Sequence, residues 1–164
     1  MGDRITRELF ECVPELNFSS GYRYFLGNME NYIQAMLSTL KSMKAKLPLL
    51  ESMYQLEEYA GLRTITQTLQ RMMNNIGASD IAELSYLLET ALLNNQNEVI
   101  NDLLGEYIRS LSRFTEHLED LFMGLDIKRN GRLAEGQTSY LNYDFTKTKE
   151  SIKLSSDLLE RKIL

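Results

Sequence analysis

The sequence predicts an all-α protein, in the form of an antiparallel up-and-down four-helix bundle with a short N-terminal helix and an extra C-terminal helix. Apolar side chains recur at spacings of three and four residues along most of the 164 residues. No stretch alternates with the period of two that a half-buried strand requires. The connections between the apolar stripes are short, which favours successive helices that pack antiparallel to one another.

Composition narrows the classes of function. A hydrophobic fraction of 43% and a charged fraction of 25% are typical of a globular chain with a core. The net charge of -5 argues against binding to nucleic acid, which relies on basic patches. With one cysteine, Cys12, and one histidine, His117, we expect no disulfide, metal site, cofactor or catalytic triad. Without an apolar run of about 18 residues or a signal-peptide core, we expect a cytoplasmic protein that does not enter a membrane.

Charge is distributed unevenly along the chain. Residues 1–125 contain 10 Lys and Arg against 17 Asp and Glu, whereas residues 126–164 contain 8 against 6. We interpret this change as a boundary near Gly124 between an acidic bundle, residues 1–125, and a mildly basic tail, residues 126–164. The tail comprises a glycine-bearing link and a last helix from Asp144 to about Lys162.

The N-terminal half contains two predicted helices. A short one at about residues 4–14 presents Ile5, Leu9, Phe10 and Val13 and should cover one end of the bundle. The first long helix follows Asn28, a good N-cap, and Pro48 should kink or break it. Its apolar positions are Met29, Tyr32, Ile33, Met36, Leu40, Met43, Leu47, Leu50 and Tyr54.

Three further helices complete the predicted bundle and its order. The second long helix runs from Tyr59 to Ile76, and Gly77 suits a left-handed C-cap. Ser79 or Asp80 should cap the third helix, which stops at the turn of Asn94 and Asn95. The fourth long helix carries a near-heptad stripe of Ile100, Leu103, Leu104, Tyr107, Leu111, Phe114, Leu118 and Leu121.

The second long helix carries a polar face opposite its apolar stripe. Gln67 lies at the centre of this face and should therefore be exposed. The residues on the face are Ala60, Arg63, Thr64, Gln67, Gln70, Arg71 and Asn74. His117 falls on the outer face of the fourth helix, where we expect a solvated surface histidine.

From Phe18 to Phe122 the chain resembles the histidine-containing phosphotransfer domain of bacterial two-component relays. Three features carry the resemblance, in this order: the Gly21–Asn28 segment that leads into a helix bearing Tyr32, the Ile76-Gly77-Ala78 end of the second long helix, and the pattern of Leu84, Leu88 and Glu89. In that family the second helix displays a histidine, then any residue, leucine, lysine and glycine.

The resemblance places the family's functional positions on this sequence. Counting back from Gly77, Leu69 matches the leucine, whereas Gln67, Gln70 and Arg71 stand at the histidine, lysine and glycine. The resemblance therefore implies a retained scaffold with altered functional residues.

The altered residues change the chemistry that the resemblance implies. An imidazole accepts and releases a phosphoryl group because it is nucleophilic and ionises near neutral pH. The lone pair of the Gln67 amide is delocalised, so phosphotransfer through it is excluded. Gln70 offers neutral hydrogen bonds in place of a lysine charge. Arg71 is bulky where the family has glycine, and it would either clash with a partner or reach the acidic or phosphorylated active site of a receiver.

We therefore expect a pseudo-phosphotransfer module that is not an enzyme, a monomer or weak dimer whose partner is a receiver domain or a histidine kinase. The expected docking face consists of Arg63, Thr64, Gln67, Gln70, Arg71 and Asn74. An ordinary solvated helix face remains the alternative for these residues. The alternative function is a helical structural, assembly or adaptor protein with no phosphorelay partner. An enzyme has little support, because the carboxylates are spread over solvated faces without an acid–base pair.

Overall fold

The computed structural model describes residues 2–130, with side chains for residues 7–126, and this part of the chain is all-α. The predicted fold class is thus confirmed at the level of secondary structure. Of the predicted tail, residues 126–130 belong to the last described helix, and the rest of the link and the helix predicted from Asp144 lie outside the described residues. Within them, the helices are α1 (Gly2–Glu11), α2 (Phe18–Tyr24), α3 (Met29–Gln55), α4 (Tyr59–Ile76), α5 (Ser79–Leu93) and α6 (Asn97–Asn130).

The four long helices pack in chain order. Helices α3 and α4, α4 and α5, and α5 and α6 are in contact, and α3 also contacts α6. The turns between them are short. Gln67 of α4 contacts Glu89 of α5 across the turn at Gly77 and Ala78, so these two helices run antiparallel. The apolar stripes of the four long helices enclose one continuous core that includes Ile33, Leu69, Leu88 and Leu111. None of the described helices combines the length and apolar character that crossing a membrane requires.

Helices α1 and α2 cover one end of this core with aromatic side chains. The Phe10 ring of α1 stacks on the Tyr32 ring of α3 at a centroid distance of 5.2 Å, and Phe18 of α2 lies 5.6 Å from Phe10. Burial of each phenylalanine contributes about 2 kcal/mol. The predicted N-terminal cover is therefore present in Phe10 and Val13, both buried. Its helix, Gly2–Glu11, begins and ends earlier than the predicted residues 4–14.

Helix α3 begins as predicted and does not break where predicted. The Asn28 side chain caps it by accepting a hydrogen bond from the Asn31 amide at 3.0 Å. We expected Pro48 to kink or break the helix. The break is wrong, because one α-helix runs through Pro48 from Met29 to Gln55. Leu47 and Leu50 on either side are fully buried, so tertiary packing holds the helix across the proline.

In the turn between α4 and α5, the end of α4 agrees with the prediction and the N-cap of α5 does not. Gly77 is left-handed with φ of 91°, which confirms it as the residue that ends α4. The prediction that Ser79 or Asp80 caps α5 is wrong: Ala78 occupies the N-cap position and makes no side-chain cap. The turn leaves room for only Gly77 and Ala78, so both polar residues already lie in the first turn of the helix.

The last described helix is longer than its apolar stripe predicted. Helix α5 ends at Leu93, and Asn95 is left-handed with φ of 52°, which confirms the predicted turn. Helix α6 then runs from Asn97 to Asn130, so no helix end marks the boundary predicted near Gly124. Leu125 beyond it is still buried, which explains why the helix continues.

Helix α2 was missed by the sequence reasoning, which treated its residues only as a lead into α3. The Asn17 side chain caps it by accepting a hydrogen bond from the Ser20 amide at 3.1 Å. The asparagine cap was the signal available in the sequence.

Candidate functional site on helices α4 and α5

The C-terminal end of α4 is fixed by residues from three other segments. The Tyr32 hydroxyl donates a hydrogen bond to the Ile76 carbonyl at 2.7 Å, and the Asn17 amide donates one to the Gly77 carbonyl at 2.9 Å. A Cβ on Gly21 would lie 2.3 Å from the Ile76 carbonyl oxygen, so only glycine permits α2 to approach so closely. Four residues that carry the family resemblance thus meet at one junction.

From this junction α4 extends with its polar face toward solvent. Gln67 is exposed, as its position opposite the apolar stripe predicts. All six residues of the expected docking face are exposed or half-buried, and none is in the core. The exposed ones are Thr64, Gln67, Arg71 and Asn74, and the half-buried ones are Arg63 and Gln70.

Glu89 of α5 is the closest polar neighbour that the structure gives Gln67. The Gln67 amide donates from Nε2 to Glu89 Oε1 at 2.6 Å. A carboxylate acceptor makes this a charge-assisted hydrogen bond, which holds the Gln67 side chain in one orientation. Glu89 is part of the resemblance pattern but was not predicted as a site residue, because its distance from Gln67 is decided by the packing of two helices.

The same contact sets the register between the two antiparallel helices. Gln70 lies one turn after Gln67 on α4, and Tyr86 lies one turn before Glu89 on α5. Because the two helices run in opposite directions, Gln70 is level with Tyr86. Tyr86 is 54% exposed, and Leu93, one turn beyond Glu89, is 56% exposed. Two exposed apolar side chains thus lie one turn before and one turn after the Glu89 that contacts α4, and neither was predicted as part of the site.

We call this surface the α4–α5 face. It consists of Arg63, Thr64, Gln67, Gln70, Arg71 and Asn74 of α4 with Tyr86, Glu89 and Leu93 of α5. It offers amides and hydroxyls for hydrogen bonds, two guanidinium groups, and exposed apolar area. Within residues 7–126, no three His, Cys, Asp or Glu side chains are grouped to hold a metal ion.

His117 lies elsewhere, at the surface of α6 as the sequence predicted, but it has a partner that the sequence did not predict. Its Nδ1 is 2.6 Å from Glu15 Oε1, and its side chain is 40% exposed. Glu15 comes from the turn between α1 and α2, which packs over α6. The residue spacing along α6 carries no information about that turn, so the contact of His117 with Glu15 was not predictable from it.

Comparison with known proteins finds no matching family model, no matching curated protein and no matching solved structure.

Proposed function

We propose that the chain is a pseudo-phosphotransfer module. In this proposal α3 to α6 form an up-and-down four-helix bundle of the histidine-containing phosphotransfer type, and the α4–α5 face binds a receiver domain or a histidine kinase. One observation supports the proposal: Gln67, which the resemblance puts at the family's histidine position, is exposed on a helix whose end is held by Gly21, Tyr32 and Gly77.

The bound partner would exchange no phosphoryl group with this face. The Gln67 amide nitrogen is not nucleophilic and already donates to Glu89. The module therefore acts by occupying its partner, as a competitor or adaptor.

Binding would combine charge with apolar contact. Arg71 is exposed, and its guanidinium matches the acidic or phosphorylated active site that the resemblance implies for a receiver. Tyr86 supplies exposed aromatic area, the type of side chain that most often anchors protein interfaces.

The first experiment restores the missing chemistry. The triple variant Gln67→His, Gln70→Lys, Arg71→Gly is incubated with radiolabelled phosphorylated receiver domains, and transfer of label is followed. We expect label on the triple variant and none on the wild type. Glu89 is placed to accept a hydrogen bond from the introduced imidazole and to orient its other nitrogen outward.

A matched control uses Gln34 on α3, an exposed glutamine that also neighbours a carboxylate. Its Nε2 lies 3.5 Å from Glu30 Oε1. Gln34→His creates an exposed imidazole beside a glutamate away from the α4–α5 face and should accept no label. Absence of label on the triple variant, with helix content intact by circular dichroism, would count against docking of receivers.

The second experiment measures binding by the wild type. Receiver and kinase domains from the native cell are immobilised, and capture of the full chain is quantified. Arg71→Glu and Tyr86→Ala should each weaken binding about tenfold, equivalent to about 1.4 kcal/mol. Arg109→Glu, which reverses an exposed charge on α6, is the control and should bind as the wild type does. Failure of every domain to bind would favour a helical structural or adaptor protein without a phosphorelay partner.

A further inference from the structure

A groove of about 560 Å³ lies between α5, α6 and the turn that joins α1 to α2. Ile81, Leu84 and Leu87 of α5 give it an apolar floor. Leu87 is 45% exposed and Leu84 is only half-buried, although both lie in the middle of a packed helix. This part of the floor is therefore open to a further apolar side chain.

Carboxylates dominate the edges of this groove. Asp80, Glu83 and Glu106 line it and are exposed. A fourth lining carboxylate, Glu15, is already paired with His117, and Arg113 is the cationic side chain among the lining residues. The groove therefore has a negative rim, and an occupant of complementary charge is basic.

The dimensions fit a helix better than a compact ligand. From Glu106 to His117 the lining follows α6 for three turns, or about 16 Å at the α-helical rise. Two helices side by side present a trough into which the side-chain ridge of a third helix can pack. Amphipathic helices bind in such grooves through apolar anchors one turn apart.

The groove lies on the flank of α5 away from the α4–α5 face. At 100° per residue, Leu84 and Leu87 project from the side of α5 opposite to Tyr86 and Glu89. A partner in the groove and a partner on the α4–α5 face therefore contact different sides of α5.

We propose that the α5–α6 groove is a second binding surface, which takes a basic amphipathic helix of a partner protein. Apolar side chains of that helix pack on Leu84 and Leu87, and its lysines or arginines lie beside Asp80, Glu83 and Glu106. The inference goes beyond the function proposed for the α4–α5 face and does not depend on it.

The test uses the full-length protein and two synthetic helical peptides with the same leucine stripe. One carries lysines on its polar face, the other glutamates, and binding is followed by fluorescence anisotropy. We expect saturable binding of the lysine peptide that weakens with salt, and at least tenfold weaker binding of the glutamate peptide. Chemical-shift changes in the protein should fall on residues 80–87 and 106–117.

Two variants with matched controls locate the site. Leu87→Asp should weaken binding of the lysine peptide at least tenfold, whereas Leu49→Asp, at an α3 position 48% exposed, should not. Glu83→Lys should weaken it severalfold, whereas Glu57→Lys, an exposed residue in the α3–α4 turn with the same change in net charge, should not. Circular dichroism verifies that each variant is folded.

Three results would overturn the proposal. The first is equal binding of both peptides, or equal loss of affinity in the variants and their controls. The second is a dimer in sedimentation that Leu87→Asp dissociates, which would assign the groove to a second copy of this chain. The third is that the lysine peptide does not bind, while cleavage after residue 130 shifts the resonances of the groove residues. That result would assign the groove to residues 131–164 of the same chain.

Discussion

At the scale of single residues, the junction at the end of α4 depends on glycines for two different reasons. Gly21 is required by space, because the Ile76 carbonyl occupies the place of a side chain. Gly77 is required by conformation as well, since its φ is 91° and a Cβ there would lie 2.4 Å from the Asn17 carbonyl oxygen. Both keep the carbonyls at the end of α4 within reach of the donors that fix them.

We predict that Gly77→Ala destabilises the protein by about 2 kcal/mol or more. Alanine is strained at this left-handed φ, and its Cβ would also clash with the backbone of Asn17. Gly124→Ala is the matched control. Its new Cβ would lie 3.5 Å from Leu9, an ordinary contact inside a helix, so it should stabilise by up to about 1 kcal/mol. Urea denaturation of both variants and the wild type measures the difference. Equal stability of the two variants would contradict this account of the junction.

At the scale of elements, helix boundaries follow tertiary packing where local signals conflict with it. Helix α3 continues through Pro48 because the flanking Leu47 and Leu50 are buried in the core. Helix α6 continues past Gly124 because Leu125 after it is buried in the core. Local residue preferences alone would end both helices earlier.

A proline inside α3 still removes one backbone hydrogen bond. Because Pro48 itself is exposed, its replacement does not disturb the core. We predict that Pro48→Ala raises the free energy of unfolding by about 2 kcal/mol. Lys41→Ala, at an exposed position about two turns earlier, should change it by less than about 0.5 kcal/mol. Thermal and urea denaturation give both values, and no gain for Pro48→Ala would mean that α3 has adapted to the proline without cost.

At the scale of the whole molecule, the core holds polar groups that link distant helices. Lys44 of α3 lies 3.6 Å from Glu119 of α6, with side chains 4% and 3% exposed. The Ser85 and Tyr107 hydroxyls lie 2.8 Å apart between α5 and α6. Tyr32 joins α3 to the end of α4. Each of these contacts orients one long helix relative to another.

Two of these groups connect the stability of the fold to alkaline pH. Burial raises the pKa of the Tyr32 phenol and of the Tyr107 phenol well above the ordinary value of 10.0. The unfolded chain therefore ionises these phenols at a lower pH than the folded protein does. Their contribution to stability is complete below about pH 10 and is lost as the pH rises through and above that value.

We predict that Tyr32→Phe is less stable than the wild type near neutral pH by about 1 kcal/mol, since the hydrogen bond to Ile76 is lost. Above about pH 10 the difference in the free energy of unfolding between the wild type and the variant should narrow by up to about 1.4 kcal/mol per pH unit. The reason is that the variant has one fewer buried phenol to ionise on unfolding. Urea denaturation across this range measures it. Tyr24→Phe, which removes an exposed phenol, should keep the wild-type slope. Parallel curves for Tyr32→Phe and the wild type would contradict the assignment.

Much of the fold was predictable because helical periodicity is a local property of the sequence. The stripe from Met29 to Tyr54 predicted α3, and the spacing from Tyr59 to Gly77 predicted α4 with its end. The same spacing predicted that Gln67 faces solvent. Helix α2 and the cap at Ala78 were missed because short helices and tight turns are decided by a few contacts.

The α4 side of the candidate site followed from the sequence, and the α5 side did not. Gln67 and Arg71 lie on one helix, so their common face is a consequence of residue spacing alone. Glu89 and Tyr86 join them only because α5 packs antiparallel to α4 in one register. No spacing rule within a single helix specifies that register.

By itself, the sequence determined the helical class, the order of the long helices and the absence of an imidazole at position 67. Those properties depend on residue types and on spacings within one element. The tertiary structure decided the partner of Gln67, the pairing of His117 with Glu15, and the groove between α5 and α6. Each of these joins residues far apart in the chain, and only the packing of helices against one another sets the distances between them.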